Sequence, residues 1–145
     1  MIGVNNCKQS KQSLIGMTLL ELLIVVTLIG ILAMFAYPSY LDQVRKSHRI
    51  TAIADLARIQ LELESSYNGQ YDWHKVISSG KCTVCLSEQS RFVFSVTSSA
   101  NAAYIIKATA QANSQQNLDS CLQEYNVDYL SLDASNKAFP LSCWQ

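Results

Sequence analysis

The chain has 145 residues, 49% of them hydrophobic, and its 11 basic side chains are matched by 11 acidic ones. That length fits one modest domain, and a formal charge of zero offers no global field for nucleic acid or anionic lipid. The apolar content excludes disorder, and only 5 Gly with 2 Pro exclude collagen-like or low-complexity sequence. The apolar residues are unevenly spread. Met17 to Tyr37 carries a large share, and the remainder reads as an ordinary, rather polar domain.

Residues 1–16, MIGVNNCKQSKQSLIG, contain no acid and hold two lysines, Lys8 and Lys11. The next 21 residues, MTLLELLIVVTLIGILAMFAY, have Glu21 as their only charge. As a helix this stretch spans about 31 Å, close to the thickness of a bilayer's hydrocarbon core. It is too long for the apolar part of a secretory signal peptide, and bulky Met34, Phe35 and Tyr37 stand where a small-residue cleavage site belongs. A plain signal anchor fits the length, with Glu21 snorkelling to the headgroups. A carboxylate at the centre of such a helix costs about 3 kcal/mol, and less near an end. Charge does not orient the span, because Lys8 and Lys11 precede it while Arg45, Lys46 and Arg49 follow.

Gly16 followed by Met17-Thr18-Leu19-Leu20-Glu21, behind a short basic leader and with Pro38 closing the apolar run, resembles the prepilin peptidase site of type IV pilins and related pseudopilins. The resemblance implies cleavage after Gly16, N-methylation of the new terminus at Met17, and a helix-kinking role for Pro38. Met17 stands where the family usually has Phe, a departure that keeps an apolar side chain of comparable length. Cleavage would leave a cationic amine at Met17 near Glu21, both in or beside hydrocarbon. Pairing Glu21 with the amine of an adjacent subunit satisfies two stranded charges and fixes the register of assembly. The organisation implied is a leader over 1–16, a transmembrane and assembly helix over 17–38, and an exported domain over 39–145.

Beyond Pro38, Ser39 to Ser66 contains no Gly or Pro, and Ile53, Leu56, Ala57, Gln60, Leu63 and Tyr67 recur at three- and four-residue steps. The spacing predicts that the helix continues through Pro38, which kinks it, and stops at Tyr67-Asn68-Gly69. The basic cluster Arg45-Lys46-Ser47-His48-Arg49 reads as a solvated collar facing headgroups. Gln70 to Gln89 is expected to be an irregular connection, with Trp73-His74 serving as loop packing. Strands are expected at 91–97, 103–110 and 129–133, from their β-branched and aromatic content, with turns over 98–102 and 134–137. The predicted fold is α+β, a long N-terminal helix packed on a small antiparallel sheet.

The C-terminal end adds to the resemblance. Cys121 ahead of the last strand, and the ending Cys143-Trp144-Gln145, are similar to PilE-like minor pilins, as is the helix-end segment Tyr67-Asn68-Gly69-Gln70-Tyr71. Four cysteines lie past the apolar span and Cys7 lies in the leader; an even number in an exported domain suggests disulfides, with three pairings open. The resemblance favours Cys121 with Cys143, leaving Cys82 and Cys85 to pair with each other or stay free. Cys82-Thr83-Val84-Cys85 reads as structural. Redox thiols at this spacing usually open a helix, whereas the flanks here look like loop. A zinc site would need two more ligands, and the only histidines are His48 and His74. No Ser–His–Asp array, Gly-rich phosphate loop or paired-carboxylate motif points to catalysis, and no cofactor or metal is implied.

The sequence thus points to a non-enzymatic minor pilin that supports pilus assembly, adhesion or twitching motility. Its implied partners are prepilin peptidase, other pilin subunits and the assembly machinery. Its implied location is the bacterial inner membrane, with the distal domain periplasmic, and then an extracellular pilus. Two alternatives share the N-terminal logic: a type II secretion pseudopilin, and a receptor pilin for DNA uptake. DNA binding would require a local basic patch, because from Tyr67 onward five basic residues (Lys75, Lys81, Arg91, Lys107, Lys137) face six acids.

Overall fold

A computed structural model describes residues 17–100 and 102–145. Residues 1–16, where a leader is expected, with Gly16 and Cys7, therefore lie outside the described residues. Helix α1, Leu19–Ser65, is assigned without a break and includes Pro38. The chain divides at that proline into two compact units, one ending at Tyr37 and one running from Pro38 to Gln145.

In the first unit every described residue is exposed. Leu19, Leu20, Met34 and Phe35 are each at least 66% accessible, and the helix is long and apolar enough to cross a membrane. A helix that is hydrophobic all round has no polar face to turn to water, so its environment must be lipid or other apolar helices. The first turn carries its own cap. The Thr18 amide and hydroxyl donate to the Glu21 carboxylate at 2.9 and 3.0 Å, and the Glu21 amide donates back to the Thr18 hydroxyl at 3.2 Å. This is a capping box, in which a Thr and a Glu three residues on satisfy each other's orphan donors.

In the second unit, Ala52, Leu56, Ile59 and Leu63 of α1 are fully buried at steps of four, three and four residues. They pack against the inner face of an antiparallel sheet ordered β3-β4-β5-β6, comprising Phe92–Ser99, Ala102–Ala110, Tyr129–Asp133 and Ala138–Phe139. Alternation selects the inner residues: Phe92 and Phe94 on β3, Tyr104, Ile106 and Ala108 on β4, and Leu130 and Leu132 on β5. Each fully buried Leu, Ile or Phe contributes about 1.5–3 kcal/mol. On the outer face, Lys107 sits over the Tyr129 ring at 4.8 Å.

The α+β layout is as the sequence predicts, with three differences of detail. The buried helix stripe runs through Ala52, Leu56, Ile59 and Leu63, so Ala57 and Tyr67 face outward and Ile53 and Gln60 are half-buried. Two apolar stripes share Leu56 and Leu63, and helical spacing alone cannot choose between them. Short elements also escape the periodicity: helix α2, Ser120–Glu124, and a hairpin of β1, Ile77–Ser78, with β2, Lys81–Cys82. The basic cluster after Pro38 is only partly a solvated collar, because Arg49 is buried and paired with Asp119.

Candidate functional site

Three groups of residues offer chemistry. The first is the helix start, where Met17 is exposed and the Glu21 carboxylate is held by Thr18. Thr18-Leu-Leu-Glu21 is legible in sequence as a Thr-x-x-Glu box, a signal the charge argument alone passes over.

The second group is a polar strip that clamps residues 115–120 to α1 just past Pro38. Arg45 Nε donates to the Gln115 carbonyl at 3.0 Å, Gln116 Nε2 donates to the Arg45 carbonyl at 3.0 Å, and Ser120 Oγ donates to Asp42 at 3.3 Å. At its centre the Arg49 guanidinium pairs with Asp119, which also caps α2 by accepting from the Cys121 amide at 3.0 Å. Removing a guanidinium from water is costly, so Arg49 is buried only because a carboxylate 70 residues away meets it. That distance hides the pair from sequence reading. Cys121 is bonded to Cys143, which ties α2 to the C-terminal segment ending in Trp144.

The third group is the segment between α1 and β3. Its start is fixed by tyrosines: Tyr71 and Tyr104 both donate to Glu64, Tyr104 at 2.5 Å, and their rings meet edge-on at 4.9 Å. Burial, reinforced by the Glu64 carboxylate, pushes the Tyr104 phenol far above the usual tyrosine range and the Tyr71 phenol upward as well. Asp72 then caps a 3-10 turn over Trp73–Lys75 by accepting from the His74 amide. The hairpin follows, with a two-residue connection of Ser79 and Gly80 at φ 53° and 75°. Two consecutive positive φ values give the twist that lets short strands pair, and Gly80 adopts one without steric cost. The Ser-Gly dipeptide was the available signal for this hairpin. Cys82 and Cys85 are bonded to each other across the end of β2.

The 3-10 turn and the hairpin together concentrate positive charge. His74, Lys75 and Lys81 are all exposed, and no acid occurs from Trp73 to Ser87. The slight acidic excess of the chain from Tyr67 onward therefore conceals a local basic excess of two. Exposed lysines beside backbone and Ser groups suit a phosphate backbone, and nothing in the segment resembles a catalytic array.

Residues 38–126, more than half of the chain, match the family model described as "Type IV minor pilin ComP, DNA uptake sequence receptor". The chain is also 48% identical over 42 residues to fimbrial protein Q of Moraxella bovis, an alignment covering 29% of this chain and 27% of that protein. The chain thus matches about a quarter of that curated relative's length, and no solved structure matches at the same stringency. With a long helix on an antiparallel sheet, and a family match that runs from Pro38 within α1 through β3, β4 and α2, the chain belongs to the type IV minor pilin family that includes the DNA uptake sequence receptor ComP.

Proposed function

We propose that this chain is a DNA-contacting minor pilin, inserted into the inner membrane as a prepilin and carried outward in a type IV pilus. In this reading residues 1–16 are a leader cut after Gly16, and Met17 is N-methylated. Residues 17–38 are the membrane and assembly helix, and residues 39–145 form the exported domain. Glu21 pairs with the Met17 amine of a neighbouring subunit, so Thr18 holds the carboxylate until a partner charge replaces it. The disulfides suit a domain that leaves the cytoplasm.

One observation carries the DNA reading: the acid-free stretch of 3-10 turn and hairpin, with Lys75 in the turn and Lys81 on the hairpin, lies within the span matched by a receptor family. Affinity for duplex DNA comes chiefly from neutralising phosphates, so a local patch suffices where the domain as a whole is neutral. The reading without DNA is a purely structural subunit, favoured by the five basic residues against six acids from Tyr67 onward.

The test is a mobility shift of labelled duplex DNA by the full chain in detergent, across a salt series. Affinity is expected to fall steeply with salt. Lys75→Ala with Lys81→Ala should lower the log–log salt slope by about 1.8, since each phosphate that a lysine neutralises adds about 0.9. Wild-type binding unaffected by the double substitution, or no binding at low salt, would overturn the reading. Competition between duplexes of different sequence reads out selectivity.

A further inference from the structure

We infer that Asp55 is the positioning residue of the basic hairpin, holding it on helix α1 in the orientation that meets DNA. This rests on the DNA reading above for its functional consequence, though not for the geometry.

Asp55 is fully buried on α1, an unusual place for a carboxylate, and its oxygens are occupied by donors from another part of the chain. The Leu86 amide donates at 3.0 and 3.1 Å and the Ser87 amide at 2.7 Å. Arg58, one turn further along the helix, adds a guanidinium bond at 3.2 Å. The two amides follow immediately after Cys85. Cys85 is bonded to Cys82, the last residue of β2, and Cys82 pairs with Ile77 across the hairpin. A continuous path therefore runs from the helix through Asp55, Leu86, Cys85 and Cys82 to Lys81.

The other end of the hairpin is held separately. The Thr83 amide and hydroxyl donate to the carbonyl of Val76, a core residue, at 2.8 and 3.1 Å, and the hydroxyl also donates to the Lys75 carbonyl at 2.9 Å. That attachment keeps the hairpin closed on itself and seats Val76. Beside the apolar packing of Val84 and Cys85 on the core, Asp55 supplies the hydrogen bonds that tie the segment after β2 to α1.

The chemistry requires a carboxylate here. Two backbone amides and a guanidinium all donate, and an ionised Asp only accepts. An amide side chain keeps one oxygen and turns an N–H₂ group toward a donor. Asp55→Asn is nearly the same size and should therefore release the Leu86–Ser87 segment without emptying the core.

The experiment compares wild-type full chain with D55N, reading hydrogen exchange across residues 76–99 and duplex DNA affinity on the same samples. Exchange is expected to accelerate at amides 77–87 while those of Phe92 to Thr97 stay protected, and DNA affinity is expected to fall at least tenfold. Intact mass should still show two disulfides. Unchanged exchange at the hairpin, or wild-type affinity despite faster exchange, would overturn the inference. Should D55N not fold, Ser87→Pro deletes the 2.7 Å donor from the loop side, leaves α1 intact, and is expected to give the same pair of changes. If wild type binds no DNA, the DNA reading fails by itself. Exchange in D55N then decides whether Asp55 mounts the hairpin at all.

Discussion

Tyr104 shows how one buried group shapes the behaviour of the fold with pH. Its ring is fully buried on β4 and its hydroxyl donates to Glu64 at 2.5 Å. Burial first, and the adjacent carboxylate next, disfavour the phenolate, so the folded-state pKa lies well above the ordinary tyrosine value. A raised folded pKa contributes stability that is complete below the unfolded pKa and is lost as pH climbs beyond it. Urea midpoints should therefore be flat up to about pH 10 and fall above it. Tyr104→Phe should remove much of that alkaline fall while lowering stability near neutrality by about 1.5–3 kcal/mol, the contribution of a hydrogen bond to a charged group. An alkaline fall of the same size in the variant would show that another group carries it. Arg49 and Asp119 form a buried pair of opposite charges, each tolerated in the interior only because the other is there.

Among the elements, the two disulfides differ in what they constrain. Cys121–Cys143 joins residues 22 apart and restrains α2, β5, β6 and the C-terminal turn together. Loop-closure entropy gives about 3 kcal/mol for such a bond and about 2 kcal/mol for a four-residue loop like that of Cys82–Cys85. Replacing both Cys121 and Cys143 by Ser should therefore lower the denaturation midpoint more than replacing Cys82 and Cys85. The second pair should leave the sheet's cooperativity intact and act mainly on hairpin amides. Equal losses of stability would mean that the hairpin is part of the cooperative core. The helix was legible over its whole length because nothing in Ser39 to Ser66 breaks it, and β3, β4 and β5 were legible from their β-branched and aromatic content. The hairpin and α2 were not, since two-residue strands and a five-residue helix are too short to establish a period.

At the scale of the molecule, a unit whose described residues are mainly apolar and end at Tyr37 is joined to a unit with its own core. Membrane residence and filament assembly are proposed for the first, and DNA contact for the second. Glu21 allows cap and charge to be separated, because Gln serves at the third helical position of a capping box as Glu does. Glu21→Gln should therefore preserve the helix start and membrane insertion yet remove the subunit from sheared surface fibres. Intact mass of membrane and fibre fractions checks this together with loss of residues 1–16 and one added methyl group. Incorporation of the Gln variant at wild-type levels would remove the charge from the proposed assembly mechanism.

Local features of the sequence determined the apolar helix, the fold class and the main strands, because each rests on residues within a few positions of one another. The resemblance at Gly16 to Glu21 and at Cys143-Trp144 pointed to the pilin family for the same reason. Which stripe of α1 is buried, how Arg49 is neutralised, and why Asp55 tolerates burial were decided only by tertiary structure. Their partners, Asp119 and the Leu86 and Ser87 amides, lie 70, 31 and 32 residues away along the chain. The basic hairpin belongs with these. Its lysines are visible in the sequence, but the backbone that carries them folds back on itself only through the turn at Ser79-Gly80, and charge acts through distance in space and not along the chain.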